Sequence, residues 1–438
     1  MIYVPFIYFT ILTVFFVVKK KDFDISVFMS GLFAFTSLMA IVIVKADILG
    51  DAGILFTKET LDLQFVPTLL YCILPTIAIL PFARFSMRNI EKITIVSDKI
   101  FMFFSICLLF VALLNFYVSI DKFIDIFKNG TWLTKNYGES PSYTGLWQAK
   151  TNHYNGKLHG YQIRLERLPL VLSYIFYLSN CTLLLIPCFF YSLCVAKKKW
   201  WFNVILIIGS ISSLAISIQT ADRTEFFNYA LMFIVNLLMF KHLLKKKQWI
   251  KLAATLIPIF VVCVIYFVGV TKARFHTDEN GELKGIAQYS GQPYLNFNYF
   301  YENAKTDTVF YERAFPLMNH FLLDNDYEYQ SVEKRNALNG FKTNVFASFL
   351  GTFFLDMGKI PMILWILAFC ALCILILPRP KEKTVSFWKI MVTYTLATVP
   401  VFGIFYYRYF HFTFALIPCI AFIMLAFSTI QTKIKSKE

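Results

Sequence analysis

Apolar stretches recur along the chain at residues 2–18, 25–44, 63–82, 100–118, 170–196, 202–218, 226–240, 252–270, 360–377, 385–405 and 410–430, and polar gaps separate them. About 20 apolar residues wound as a helix cross a hydrocarbon core ~30 Å thick. The pattern therefore predicts an all-α, polytopic membrane bundle of about eleven transmembrane helices. The stretch 226–240 is among the shortest. Residues 344–356 are apolar but too short to span, and Asp356-Met357-Gly358 breaks them before the next full stretch. They read as a re-entrant or interfacial helix buried in protein.

Every second gap is packed with Lys: 19–21, 84–99, 197–199, 241–247, 379–383 and 433–437. Together these short gaps hold about half of the 42 Lys and Arg residues. Cytoplasmic loops carry such an excess, which predicts the N-terminus outside and the C-terminus in the cytoplasm, as an odd number of spans requires. Two outward gaps are then large, 119–169 and 271–359, on a single transmembrane domain covering 1–438. The first is aromatic, with Trp132, Tyr137, Tyr143, Trp147, Tyr154 and Tyr161. Its opening residues Ile120, Phe123, Ile124 and Phe127 have the spacing of a helix lying in the interface. The second carries most of the outward charge. No internal repeat or soluble domain is visible.

Composition agrees with this reading. A hydrophobic share of 58%, a charged share of 16% and a mean hydropathy of +0.59 lie outside the soluble range. The net charge of +15 sits in loops that flank apolar spans, so anionic lipid headgroups and orientation explain it, and a nucleic-acid partner is not expected. All nine cysteines fall in apolar stretches, Cys370 and Cys373 as a C-x-x-C, so neither a disulfide framework nor a metal site is indicated. No basic segment precedes the first stretch and Lys follows it, which reads as a retained span.

Charge at a span's edge must be paired or must line a wet cavity, and so marks candidate chemistry. Asp222 and Arg223 occupy a tight outward turn, Gln219 to Glu225, where Arg223 can grip a phosphate or cap a helical hairpin with Asp222. Lys272 and Arg274 follow the stretch 252–270 as anion ligands or as snorkelling anchors. Arg408 lies among aromatics in another outward turn, Phe405 to His411, either meeting an acidic ligand or sitting in an interfacial belt. Arg313 and His320 share a face of an expected helix over 311–323, and His320 titrates in the range of a general base. Arg335, Asp324, Asp326 and Glu328 read as surface charge. Asp356 ends the short apolar helix and is suited to ordering the adjoining loop. Asp47 and Asp51 read as a polar loop. Glycine-rich phosphate loops, H-E-x-x-H and nucleophile elbows are missing from the sequence, and no cofactor or metal is expected.

The segment Thr220-Ala221-Asp222-Arg223-Thr224-Glu225-Phe226-Phe227, followed by Lys272-x-Arg274-Phe275, Lys342-Thr343-Asn344-Val345-Phe346 and Asp356-Met357-Gly358, resembles the bacterial oligosaccharide repeat-unit polymerases. These Wzy-type enzymes build O-antigen and capsular polysaccharide. The resemblance covers roughly residues 210–363, with Ala-Asp where many members have Gly or Ser before the Arg. It implies a metal-independent glycosyltransferase at the outer leaflet of the inner membrane, acting on undecaprenyl-diphosphate-linked oligosaccharide. It also implies Arg223, Arg274, Arg408 and Lys272 on the diphosphate, His320 or Asp222 as the base, and a flippase and a chain-length regulator as partners. The alternatives are a lipid-linked oligosaccharide flippase or transporter, an O-antigen ligase, and a polyprenyl-phosphate-sugar glycosyltransferase.

Overall fold

In hydrocarbon a backbone can close its hydrogen bonds only on itself, so apolar runs become helices. A computed structural model describes residues 1–50, 53–129, 169–219, 224–254, 257, 261, 281–306, 313–317 and 335–435. It is 77% helical with almost no strand, an all-α polytopic membrane protein. The first helices are α1 Val4–Lys20, α2 Ile25–Lys45, α3 Phe65–Arg84 and α4 Asp98–Asn129. Next come α5 Leu170–Phe176, α6 Leu185–Tyr191, α7 Trp200–Gln219, α8 Thr224–Phe240 and α9 Gly281–Asn303. Then follow α10 Ser348–Met357, α11 Lys359–Ile376, α12 Phe387–Phe402 and α13 Phe412–Lys435.

Among the described residues, seven helices are long and apolar enough to cross a bilayer, against the eleven or so expected. Shorter apolar helices cover Trp200–Ala215 and Phe387–Phe402, α1 is 17 residues long, and most of 252–270 lies outside the described residues. The stretch 170–196 is not one helix. It breaks into α5, a 3₁₀ segment Ser179–Leu184, α6 and a π turn Ser192–Ala196. Pro187 lacks the N–H that would continue the ladder, and polar side chains satisfy the loosened backbone. The Ser179 carbonyl accepts from Asn115 Nδ2 at 3.0 Å and from Thr182 Oγ1 at 2.8 Å.

The chain divides into two units, Met1–Thr94 with Leu283–Phe427, and Ile95–Glu282 with Ser428–Glu438. In the second unit α4 packs along α7, and α8 packs on α6 and α7. Its interior is partly polar: Asn115 also donates to Ser212 Oγ at 3.1 Å, and the Ser210 and Tyr229 hydroxyls meet at 2.8 Å.

In the first unit α1 packs on α2, and α3 packs between α2 and α11. Phe9 stacks on Phe33 with 5.1 Å between ring centres, and Tyr71 meets both rings edge-on. The gap 271–359 contributes a helix that periodicity did not announce. This is α9, of 23 residues, with Tyr294, Leu295, Asn296 and Phe297 wholly buried. Gly291 allows its approach to α2, because a Cβ there would lie 2.6 Å from the Met39 carbonyl carbon and 2.7 Å from Ala40 N. The expected short apolar helix is present as α10, buried along its whole length and stopped at Gly358, whose φ of 83° suits glycine.

Contacts sort the loops of this unit by end. Lys20 Nζ donates to the Phe85 carbonyl at 3.0 Å. A parallel two-strand ladder joins β1 Lys92–Thr94 to β2 Thr384–Ser386, so the Lys-rich gaps at 19–21, 84–94 and 379–383 gather together. At the other end Asn296 and Asn298 of α9 tie down the loop that follows α2.

Candidate functional site

The turn between α12 and α13 is built by neighbours on α10. Phe349 N donates to the Gly403 carbonyl at 2.9 Å, and a Cβ on Gly403 would lie 2.7 Å from Phe349 Cδ1. Tyr407 N donates to Thr352 Oγ1 at 3.3 Å. The Tyr409 hydroxyl bonds the Thr398 hydroxyl and donates to the Thr395 carbonyl at 3.1 Å, holding the 3₁₀ turn Arg408–Phe410 against α12.

This anchoring turns Arg408 inward. The residue is only 7% exposed, Nη1 donates to the Tyr406 hydroxyl at 3.0 Å, and the guanidinium carbon stands 3.8 Å from the Phe414 ring centre. A cation over an aromatic face gains from the ring quadrupole, more so where water is excluded. Rings surround the group. Tyr406 stacks on Phe346 at 5.7 Å and 10°, and Phe346 contacts Phe405 at 5.4 Å and Tyr289 of α9 at 5.8 Å. Tyr406 meets Phe410 at 5.9 Å, and the His411 ring lies 3.8 Å from Phe410.

Burial pushes the phenols of Tyr407 and Tyr409 above their ordinary range, and for Tyr409 the bond to Thr398 and the charge of Arg408 only partly oppose it. Both stay neutral, and the Tyr409 hydroxyl serves as a hydrogen-bonding group, not as a base.

Arg313 reaches the same rings from a different part of the chain. It lies in a turn, and its guanidinium carbon is 5.7 Å from the Phe410 ring centre. The turn is held by Asp356, whose Oδ2 accepts from Arg313 N at 2.6 Å and from Ala314 N at 2.9 Å. Asp356 Oδ1 accepts from Arg335 Nη2 at 2.5 Å, with the two side chains 0% and 3% exposed. Asp356 thus orders the loop, as the sequence suggested. Arg335, expected as surface charge, is instead buried, paired with the desolvated carboxylate of Asp356 at the end of α10.

A second clasp comes from Asn296. Its Nδ2 donates to the Phe346 carbonyl at 2.9 Å and to the Gly53 carbonyl at 2.7 Å, while its Oδ1 accepts from Leu55 N at 3.1 Å. Gln288, Gln292 and Asn296 are all buried at a spacing of four, one stripe of α9. That polar stripe was the signal in the sequence that could have located this helix.

Of the other expected site residues, Asp222, Arg223, Lys272, Arg274 and His320 lie outside the described residues, as does Asp51. Asp47 pairs with Lys58 in an exposed loop. Cys370 and Cys373 are free thiols inside α11. Comparisons with protein families, with curated proteins and with solved structures found no match.

The described arrangement combines a guanidinium withdrawn from water, neutral phenols and broad aromatic faces beside membrane-spanning helices. Guanidinium forks suit phosphate oxygens, and aromatic faces suit the C–H faces of sugars.

Proposed function

We propose that this protein polymerises undecaprenyl-diphosphate-linked oligosaccharide repeat units into O-antigen or capsular polysaccharide. The reaction takes place at the outer leaflet of the bacterial inner membrane. The bundle has about eleven spans, with the N-terminus outside and the Lys-rich loops in the cytoplasm. The observation that carries the reading is Arg408, charged and nearly dry among rings at the turn between α12 and α13.

In the proposed step a hydroxyl oxygen of the acceptor sugar attacks the anomeric carbon of the donor. The bond from that carbon to the diphosphate breaks, and the electron pair leaves with the polyprenyl diphosphate. The hydroxyl proton passes to His320 or Asp222. Negative charge grows on the departing diphosphate, where preorganised cations act most strongly. Arg223, Arg274, Arg408 and Lys272 supply them, and no metal is required. The rings about Arg408 stack on sugar faces.

One observation favours a second reading. The buried polar stripe of α9 would suit passage of a polar headgroup, as in a flippase for the same lipid. A ligase or a polyprenyl-phosphate-sugar transferase would share the charge arrangement. Substituting Arg223, Arg274 or Arg408 with Ala separates these readings. Loss of polymer with single units still exposed on the surface is the expected result. Loss of all surface glycan points to the flippase or the ligase, and normal long chains in all three variants remove the assignment.

A further inference from the structure

We infer that residues 19–24, 84–94 and 379–389 of the first unit form a single basic surface that binds the headgroups of anionic phospholipids. The inference is independent of the polymerase reading, since no residue of this surface belongs to the site around Arg408.

Tertiary contacts make these three segments one surface. Lys20 Nζ donates to the Phe85 carbonyl at 3.0 Å, which brings the end of α1 to the end of α3. Asn89 Nδ2 donates to the Pro380 carbonyl at 3.3 Å. The N–H groups of Glu91 and Lys92 both donate to the Lys383 carbonyl, at 2.9 and 3.1 Å. The β1–β2 ladder continues that contact, with Lys92 opposite Thr384 and Ile93 opposite Val385. Strand side chains alternate between faces, so Ile93 and Val385 are buried while Lys92 and Thr384 are exposed.

Gathering the segments concentrates charge. They hold ten Lys and Arg against four Asp and Glu. Three of those carboxylates already serve a lysine: Asp24 lies 3.3 Å from Lys20, Glu91 2.7 Å from Lys383 and Glu382 2.8 Å from Lys389. Arg84, Arg88, Lys92 and Lys381 are exposed, and no carboxylate among the described residues pairs with any of them. Like charges drawn together repel unless outside anions meet them.

Position selects the anion. Arg84 ends α3 and Arg379 follows α11 by three residues, and both helices are long and apolar enough to cross a bilayer. The ends of such helices lie at headgroup depth, and the short connections 85–97 and 377–386 keep the other cations close to it. A lipid phosphate is already adjacent there, whereas an acidic protein segment would have to displace it. The contact spreads over several headgroups and needs no shared ligand position among the side chains. Each Lys or Arg near an anionic leaflet raises its occupancy by about fivefold.

The test uses the full chain in nanodiscs of mixed phosphatidylglycerol and phosphatidylcholine, and reads the ratio of the two lipids retained by native mass spectrometry. The wild-type chain is expected to retain phosphatidylglycerol preferentially, and R88Q/K92Q/K381Q to lower that preference by about fivefold or more. R88K/K92R/K381R, which keeps the charges, is expected to preserve it. K305Q/K342Q/K359Q removes three exposed lysines elsewhere in the unit and is expected to change it little. No preference in the wild-type chain, or an equal loss in K305Q/K342Q/K359Q, overturns the surface. Displacement of the lipid by soluble glycerol phosphate would assign the surface to free phosphate. Saturable binding of a poly-glutamate peptide that strips phosphatidylglycerol would assign it to an acidic protein segment. Either result overturns the lipid assignment. The unfolding midpoint in phosphatidylcholine alone is expected to match wild type in every variant; where the triple variant lowers it, the single variants R88Q, K92Q and K381Q carry the test, each expected to lower the preference and together to account for the loss.

Discussion

Arg335 and Asp356 form an ion pair that is almost wholly out of solvent, 2.5 Å between Nη2 and Oδ1, in a part of the chain that reads as an exposed loop. Removing one member strands a buried charge, and that costs about 3–5 kcal/mol. Arg335→Ala and Asp356→Ala should each lower the thermal unfolding midpoint sharply in detergent micelles. The double variant should lose much less than the sum of the two. Additive losses would mean the pair does not act as a unit.

Asn296 makes three hydrogen bonds to backbone groups of two loops. Asn296→Leu leaves the Leu55 N–H and two carbonyls without that partner, at about 1–3 kcal/mol for each group that stays buried. The expected outcome is a lowered midpoint and faster hydrogen exchange at Gly53 to Phe56 and at Phe346. Unchanged exchange at both loops would show that the amide is not their anchor.

Gly291 lies against the backbone of α2, and a Cβ there meets main-chain atoms that cannot rotate away. Gly291→Ala should cost about 1–3 kcal/mol, the usual range for overpacking. Gly209→Ala meets Leu109 and Leu185 side chains, which can change rotamer, and should cost less. Comparing the two midpoints tests whether α9 seats on α2 as closely as described.

Arg408→Lys keeps the charge over Phe414 but loses the planar fork. If recognition is bidentate, Lys should retain little more polymer-forming activity than Gln, while both variants keep the wild-type unfolding midpoint within a few degrees. Full activity in Arg408→Lys would show that a point charge suffices.

Glu382 accepts from Lys389 Nζ at 2.8 Å and from the Arg379 N–H at 2.9 Å. Partial burial pushes its carboxyl up, but these bonds and the two cations outweigh it and leave it below the ordinary 4.5. A depressed carboxyl contributes stability that is present above its unfolded value and lost as pH falls through the folded one. The pair is partly exposed, so Glu382→Gln should cost no more than about 1 kcal/mol at neutral pH. That difference from wild type should vanish once the pH falls well below 4.5. A difference that persists in acid would refute the linkage.

The spans were legible because a bilayer imposes one-dimensional rules. An apolar run long enough to cross it has to be helical, and α2, α3, α7 and α11 begin and end within two residues of the runs that announced them. Lys placement grouped the loops, and contacts at Lys20, Lys92 and Lys383 gather three of them at one end. Hydropathy also marked 344–356 as a short buried helix, and Arg408 as a charge at a turn. It could not find α9, because that helix interleaves buried Tyr, Leu and Phe with buried Gln and Asn, and hydrogen bonds from Asn296 and Asn298 satisfy polar groups that a hydropathy window counts against burial. Nor could it pair Arg335 with Asp356, or bring Arg313 to the rings beside Arg408. Those relations join residues far apart in the chain, and they exist only once packed helices have removed water and left each polar group one partner within reach.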